Sequence, residues 1–213
     1  MAAAMALRKA GMPMRESAPH CVASRSFSAE SVVASPGHEE VRVHVSFRMK
    51  KKLQPRFSTS DLFDAFGDSC QSCETQFKQY GRSAVFSGKI RTVKCIGDNV
   101  LLRRMLETES EGEVLIIDGS GYLGCALMGS TLAELGLKNG WAGAVIFGAI
   151  RDVNALLTLD FGIKALGSNP RKSEKNGAGH VDIFVSFGGA TFAPGQWIYS
   201  DDDGVLVSTR QLT

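Results

Sequence analysis

The chain has 213 residues, and its 24 Lys and Arg against 22 Asp and Glu leave a formal net charge of +2. This near balance excludes the strongly basic surface with which proteins bind nucleic acid by bulk electrostatics. No apolar run approaches the roughly 20 residues that a membrane-spanning helix requires, so we expect neither a nucleic-acid nor a membrane partner. The length fits one ordinary domain plus an extension.

Residues 1–48 form a predicted N-terminal extension whose composition differs from that of the rest of the chain. Within residues 1–28, which are rich in Ala and Ser, four cationic residues stand against one acid: Arg8, Lys9, Arg15 and Arg25 against Glu16. This composition is typical of a mitochondrial or other organellar transit peptide. A disordered tail on a cytoplasmic protein and a translation start at Met49 are the alternatives. The predicted domain spans residues 49–213, and its compact part begins near Phe57.

The first predicted elements are a helix, a strand, a second helix and a second strand. In chain order the stretches are STSDLFDAFG, SAVFSGKIRTVKCI, NVLLRRMLETE and EVLIIDGSG. Ser58 or Ser60 is expected to cap the first helix. The first strand is expected either to form a strand pair or to bend, with a break at Gly88. Arg103 and Arg104 are placed on the polar face of the second helix.

The next predicted elements repeat the alternation and then become rich in strands. STLAELGLKNG is predicted as a helix that ends at Gly140, and AGAVIFG as a buried strand. RDVNALLTLDFG begins a further predicted helix, and IKALG is predicted as a short strand. Several short strands with Gly and Pro turns follow up to the C-terminus. Strand–helix units followed by a β-rich end predict an α/β domain with mixed sheets.

Arg151 and Asp152 stand side by side directly behind a predicted buried strand. Neighbouring residues of a strand point to opposite faces, so both can line one cleft only if they lie in the turn that follows. Ligands of α/β proteins bind at the carboxyl ends of strands, which favours a functional pair. The alternative is that Asp152 merely stabilises the start of the next helix through the helix dipole.

The stretch GSTLAELG, Gly129 to Gly136, is a second candidate site. Thr131 and Glu134 fit the S/T-x-x-E capping box, which predicts that a helix begins here. The first backbone N–H groups of a helix lack intrahelical partners and bind carboxylates well, and Gly129 lets a ligand approach closely. Simple capping of a structural helix is the alternative.

Other motifs carry weaker signals. The odd number of cysteines, two of them in strand-like or apolar stretches, indicates free thiols and a reducing compartment. Cys70-x-x-Cys73 lacks a second pair at zinc-site spacing. The turn at Asp118–Gly121 lacks the Lys and Ser/Thr of a phosphate-binding loop. The acidic run Asp201–Asp203 lacks the spacing of a calcium loop, so a turn is expected.

Six segments together resemble one known family over residues 57–208. They are STSDLFDAFGD, GRSAVFSGKIRTVKC, DNVLLRRMLE, VLIIDGSG, ALMGSTLAELGLKNGWAGAVIFGAIRDV and GQWIYSDDDGVLVS. The family is that of regulator of ribonuclease activity A (RraA) and the class II 4-hydroxy-4-methyl-2-oxoglutarate aldolases. The resemblance implies a compact, layered β/β/α fold related to swivelling phosphohistidine domains. It also implies assembly as a homotrimeric ring, or as a hexamer of two rings.

The resemblance further implies a metal-dependent site for an α-keto acid. Asp152 aligns with the ligand of a divalent cation, Mg²⁺ or Mn²⁺, and Arg151 aligns with a residue that contacts the pyruvyl part of the substrate. The backbone amides that align with those binding the substrate carboxylate belong to Gly129, Ser130, Thr131 and Leu132. Such a site fits a lyase that passes through a pyruvate enolate, as 4-hydroxy-4-methyl-2-oxoglutarate aldolase, as oxaloacetate decarboxylase, or as both.

Departures from the aldolase pattern keep a second function open. Aldolases of this family carry Asp-x20-Arg-Asp, and counting back from Arg151 places Ser130 at the position of the first Asp. The alternative function is therefore a non-catalytic regulator that binds and inhibits a ribonuclease or another RNA-processing partner. A Schiff-base aldolase using Lys94 or Lys164 is the least favoured hypothesis.

Overall fold

The computed structural model describes residues 57–213, so the predictions for residues 1–48 lie outside the described part of the chain. The helices are α1 (Thr59–Phe66), α2 (Val100–Leu106), α3 (Ser130–Lys138) and α4 (Val153–Leu156), and a 3₁₀ turn (Gly67–Ser69) follows α1. No helix within residues 57–213 is long and apolar enough to cross a membrane.

Twelve strands complete the described part of the chain. They are β1 (Cys70–Ser72), β2 (Lys78–Gln79), β3 (Phe86–Lys94), β4 (Val114–Asp118), β5 (Ala126–Met128), β6 (Gly143–Ile150), β7 (Gly162–Ser168), β8 (His180–Val181), β9 (Val185–Phe187), β10 (Ala190–Phe192), β11 (Trp197–Ser200) and β12 (Val205–Ser208). The predicted mixed α/β fold is confirmed, with few helices against a large mixed sheet.

The large sheet has the order β1-β12-β11-β3-β4-β6-β7-β2, with β5 beside β6 and β8 beside β3. Its centre, β3-β4-β6-β7, is parallel, and its flanking strands β11 and β2 run antiparallel. A parallel centre places the carboxyl ends of several strands at one edge, and this is where the turns after β5 and β6 lie.

Apolar side chains on both faces of the central strands bury the sheet between two cores. Along β4, Leu115 and Ile117 join the core that includes helices α2 and α3, whereas Val114 and Ile116 join the core that includes the β9–β10 hairpin. All four side chains have zero exposure. A strand covered on both faces is expected to be continuously apolar, as VLII is.

Two details of the strands differ from the prediction. Strand β3 continues unbroken through Gly88. The residue is glycine because a Cβ there would lie 2.1 Å from the Gly112 carbonyl oxygen. Strand β6 continues past Gly148 to Ile150, with an irregular register to β7 between Ile146 and Ala149. The glycines therefore mark a close approach and a bulge rather than strand ends.

Candidate active site

Arg151 and Asp152 form the turn between β6 and α4, as the sequence predicts. Asp152 adopts the left-handed conformation, with φ 62° and ψ 39°, which is uncommon for a residue other than Gly and concentrates at functional sites. The backbone N–H of Arg151 donates to the Met128 carbonyl oxygen at 2.9 Å. This bond holds the turn after β6 beside the end of β5. The chain continues from β5 through Gly129 into α3.

The Asp152 carboxylate reaches the start of α3. Its Oδ2 accepts the Ser130 backbone N–H at 3.2 Å and the Ser130 hydroxyl at 3.4 Å, and it lies 3.6 Å from Arg151 Nε. It makes no capping hydrogen bond to its own helix, α4. The idea that Asp152 serves only the following helix is therefore wrong, because its side chain stabilises the positive end of a different helix.

The capping box predicted from Thr131 and Glu134 is also wrong. The N-cap of helix α3 is Gly129, two residues before Thr131; it makes no side-chain hydrogen bond, and the helix begins at Ser130. Asp152 supplies the acceptor instead. A Cβ at position 129 would lie 2.6 Å from Asp152 Oδ2, so glycine is what permits this carboxylate to approach the helix.

The backbone amides at this turn are only partly available. The Ser130 N–H donates to Asp152, and the Leu132 N–H donates to the Gly129 carbonyl oxygen at 3.1 Å. Within the described residues, the Thr131 N–H has no acceptor. A ligand carboxylate therefore meets the free Thr131 N–H here, and it would have to share the Ser130 N–H with Asp152.

A cavity of about 220 Å³ joins these groups to parts of the chain that are distant in sequence. Five of the six predicted site residues line it: Gly129, Thr131, Leu132, Arg151 and Asp152. Ser130 joins the site through its contacts with Asp152. The remaining lining residues come from α2, β5 and the segment after β7: Asn99, Arg103, Ala126, Met128, Lys172, Ser173 and Lys175.

Four cations and one carboxylate line this cavity, which therefore favours an anionic ligand. The cations are Arg103, Arg151, Lys172 and Lys175, and the carboxylate is Asp152. No sequence pattern marks either lysine as a site residue, and Arg103 is predicted on the polar face of a helix. It is on that face, paired with Glu107 at 2.9 Å, but the same face borders the cavity.

The side chains of the site provide enough ligand atoms for a divalent cation only if substrate oxygens and water complete its coordination shell. No group of three or more His, Cys, Asp or Glu that could hold a metal occurs among residues 57–213. Asp152 Oδ1, however, accepts no hydrogen bond from the described residues, which leaves it free as a ligand. Mg²⁺ is commonly held by one or two carboxylates together with water and substrate oxygens, so a single carboxylate at this position is compatible with such a cation.

The weaker motifs lie outside this site. Cys73 donates from Sγ to the Phe187 carbonyl oxygen at 3.8 Å, and burial raises the pKa of its thiol. The four cysteines in the described part are free and buried. Asp118 pairs with Lys94 at 3.2 Å, and Asp201 accepts N–H groups within its own turn. The segments that contain Asp118 and Asp201 are therefore turns, as expected.

Comparison with known proteins decides the family. The family model described as RraA-like, Aldolase/RraA, matches residues 59–207. The chain belongs to the RraA-like family. The match covers nearly all of the described residues, and with them every residue of the cavity. RraA-like proteins include both aldolase or decarboxylase enzymes and inhibitors of ribonucleases, so membership alone leaves the activity open.

Solved structures agree with this assignment. A Geobacillus kaustophilus protein described as an S-adenosylmethionine:2-dimethylmenaquinone methyltransferase is 43% identical, with a TM-score of 0.72, over 73% of this chain and 97% of that one. The RNA-processing inhibitor RraA from Thermus is 37% identical, also with a TM-score of 0.72, over 75% of this chain and 96% of its own. RraAS2 from Streptomyces coelicolor, described as an unusual member of the RNase ES inhibitor family, is 26% identical over 73% and 81%, with a TM-score of 0.58.

Proposed function

We propose that this RraA-like protein is a divalent-metal-dependent lyase that cleaves short α-keto acids, as a 4-hydroxy-4-methyl-2-oxoglutarate aldolase, an oxaloacetate decarboxylase, or both. One observation carries the proposal: Arg151 and Asp152 meet the start of α3 in a single cation-rich cavity. A simple capping carboxylate would need neither the neighbouring guanidinium nor the cavity.

The substrate would be oriented by its carboxylate and keto groups. The free Thr131 N–H at the positive end of α3 suits the carboxylate, and Arg151 supplies a charge for the keto oxygen. Asp152 Oδ1 would hold Mg²⁺ or Mn²⁺. The bound cation would act as a Lewis acid toward the two substrate oxygens.

The bond that breaks joins C3 to C4, one bond removed from the keto carbon C2. Its electron pair forms the C2=C3 double bond, and negative charge develops on the keto oxygen as a pyruvate enolate forms. Arg151 would stabilise this charge, a contribution worth about 3 kcal/mol in comparable sites. Protonation of the enolate carbon then gives pyruvate. The other product is CO₂ from oxaloacetate or a second α-keto acid from the aldol substrate, whose hydroxyl must also lose a proton to a base.

A coupled assay tests the proposal directly. Pyruvate release from oxaloacetate would be followed with lactate dehydrogenase, with and without Mg²⁺ or Mn²⁺, against a metal-only control. We expect metal-dependent turnover in the wild type, none in Asp152→Ala, and a decrease of roughly 10²-fold or more in Arg151→Ala. Turnover no faster than with the metal alone, or unchanged turnover in both variants, would reject the lyase.

A regulatory function is the second candidate, and Ser130 is the observation that favours it. This residue stands where the aldolase pattern has an acid, and the Thermus structure at 37% identity is described as an RNA-processing inhibitor. The protein would then bind a ribonuclease or RNA-processing partner without using the cavity. Inhibition of such an enzyme by wild type and Asp152→Ala alike would support it, and a pull-down without any such partner would count against it.

Two further proposals concern assembly and compartment. A homotrimeric ring, single or paired into a hexamer, would cover exposed apolar side chains such as Ile96, Leu123 and Phe184. Native mass, compared with 22.9 kDa for one chain, tests this. Sequencing the amino terminus of the native protein would decide whether residues 1–48 are removed as a transit peptide, and so whether the protein is organellar or cytoplasmic.

A further inference from the structure

The proposed cleavage needs an acid at C3 of the enolate. When the C3–C4 bond of the substrate breaks, C3 must take up a proton before pyruvate can leave. A positioned acid accelerates such a transfer by roughly 10²–10⁴-fold. The acid must reach the substrate, so it is expected among the side chains that line the cavity.

Most polar side chains of the cavity are unsuited to this role. The two arginines keep their protons at any working pH, and the Asp152 carboxylate serves as a hydrogen-bond acceptor. The hydroxyl and amide side chains that line the cavity are far weaker acids than an ammonium group. Lys172 and Lys175 remain, and lysine side chains are protonated at neutral pH.

Lys175 is committed to holding the loop before α2. Its Nζ donates to Asn99 Oδ1 at 2.5 Å, and Asn99 Nδ2 donates to the Leu127 carbonyl oxygen at 2.9 Å. Its charge also acts on Asp98, which is 2% exposed. Burial alone raises the pKa of Asp98, but backbone hydrogen bonds and the charge of Lys175 lower it below the ordinary value. Lys175 therefore has a structural role that loss of a proton would weaken.

Lys172 is the cation of the cavity whose ammonium group is uncommitted. Arg103 pairs with Glu107 at 2.9 Å, and Arg151 lies 3.6 Å from Asp152. Among residues 57–213, no group accepts a hydrogen bond from the Lys172 ammonium group or forms an ion pair with it. The residue is also exposed, so solvent can return a proton to it after each transfer.

The backbone of Lys172 is fixed beside β5. Residue 172 forms a parallel bridge with Ala126, and the Ser173 hydroxyl donates to the Ala126 carbonyl oxygen at 2.6 Å. Ala126 lies two residues before Met128, whose carbonyl oxygen accepts the Arg151 N–H at 2.9 Å. Two residues of strand span about 7 Å, which is comparable with the length of an extended lysine side chain.

We propose that Lys172 is the general acid that protonates C3 of the enolate. An N–H bond of its ammonium group breaks and leaves the electron pair on nitrogen, while the C2=C3 pair forms the new C–H bond and the keto group is restored. The neutral amine then regains a proton from solvent. The inference rests on the proposed function, because it assumes that the pyruvyl part of the ligand lies at Arg151 and Asp152.

Hydrogen exchange at C3 of pyruvate tests the inference without requiring C–C cleavage. A group that gives a proton to C3 also removes one in the reverse direction, so pyruvate in D₂O should gain deuterium, which NMR measures. With Mg²⁺ present, we expect wild type to exchange faster than Mg²⁺ alone and Lys172→Gln to lose roughly 10²-fold. Lys89→Arg, at an exposed lysine outside the cavity, should behave as wild type.

Lys172→Arg separates proton transfer from charge. The guanidinium group keeps the positive charge but does not release a proton, so this variant should lose exchange as Lys172→Gln does. Its calorimetric affinity for pyruvate should stay near that of wild type, which shows that the variant folds and binds. Exchange that survives in Lys172→Arg would mean that only the charge matters and would overturn the inference.

The two proposals fail separately. Wild type that exchanges no faster than Mg²⁺ alone, or exchange that survives in Lys172→Gln, would overturn the general-acid role. Pyruvate release from oxaloacetate together with either result would leave the lyase standing. Exchange that depends on Lys172 without pyruvate release from oxaloacetate would support the general-acid role and reject the lyase.

Discussion

The carboxylate of Asp152 accepts the backbone N–H of Ser130 at 3.2 Å, across 22 residues of sequence. This bond joins the turn after β6 to the first residue of α3 and brings the two halves of the site together. It also leaves no room for a side chain at residue 129, because the chain passes directly beside the Asp152 and Arg151 side chains there.

Gly129→Ala is expected to damage the site without unfolding the protein. The backbone at residue 129 is extended, with φ −138° and ψ −174°, so alanine is allowed. Its Cβ would however lie 2.6 Å from Asp152 Oδ2 and 3.0 Å from Arg151 Cγ. Both side chains must then move, and a displacement of about 1 Å costs roughly 10²-fold in rate.

The measurement compares pyruvate release with the free energy of unfolding in urea. We expect the free energy of unfolding to change by less than about 1 kcal/mol. Gly204→Ala is the matched control, because a Cβ there meets no atom within 4 Å. Wild-type turnover in Gly129→Ala would show that the positions of Asp152 and Arg151 do not matter for catalysis.

Ser130→Asp is expected to favour aldol cleavage over decarboxylation. The residue is the first of α3, where an acid is tolerated, and its hydroxyl already contacts Asp152 at 3.4 Å. Only aldol cleavage needs a base for a substrate hydroxyl, and a positioned general base contributes roughly 10²-fold or more. The ratio of the two turnover rates should therefore rise, whereas Ser130→Asn, which adds no base, should leave it unchanged. A rise in both variants would exclude a general-base role.

Local signals explain why part of the site could be predicted from sequence. The apolar run of β6 followed by Arg151 and Asp152 indicates a strand end, and Gly129 followed by an amphipathic stretch indicates a helix start. Each signal depends only on residues that are adjacent in sequence. The resemblance to the RraA family then adds what these local patterns do not show, namely that the two segments share one site.

The rest of the site depends on contacts that no local pattern reveals. Asp98 holds Asn176 across 78 residues, and nothing near Lys172 or Lys175 in the sequence distinguishes them from ordinary surface lysines. The capping box at Thr131 and Glu134 mispredicts the cap of α3 for the same reason, since the acceptor comes from Asp152. The predicted break of β3 at Gly88 is wrong because the approach of Gly112 is a tertiary contact.

Lys164 is expected not to form a Schiff base. It is 3% exposed in β7, and burial lowers the pKa of its ammonium group, although Asp202 and Asp201 partly oppose this. A lowered pKa is typical of Schiff-base lysines. Lys164 does not line the cavity, however, so a substrate bound at Arg151 would not meet it.

Borohydride reduction in the presence of pyruvate provides the measurement. We expect no covalent mass increase on the protein, and turnover near the wild-type level in Lys164→Met, whose side chain fills the same buried space. A reduced adduct on Lys164 or Lys94 would replace the metal-dependent mechanism with a covalent one.

Asp201 is expected to make the fold sensitive to acid. Its carboxylate is 7% exposed and accepts the backbone N–H and the hydroxyl of Thr59, each at 2.6 Å, which ties α1 to the β11–β12 turn. Burial alone raises the pKa of Asp201, but these bonds and those from Asp203 and Gly204 lower it below the ordinary value. The stabilisation is therefore complete above the unfolded-state pKa of about 3.9 and is lost as the pH falls through the lower folded-state pKa.

Urea unfolding across this pH range checks the prediction. At neutral pH, Asp201→Asn should lower the free energy of unfolding by about 1–3 kcal/mol, because buried N–H groups lose a charged acceptor. At acid pH the gap between variant and wild type should narrow, since protonated Asp201 no longer offers a carboxylate. Asp203→Asn, at an exposed acid of the same turn, should show neither effect. A gap that stays constant with pH would mean that Asp201 stabilises the fold by packing rather than by its charge.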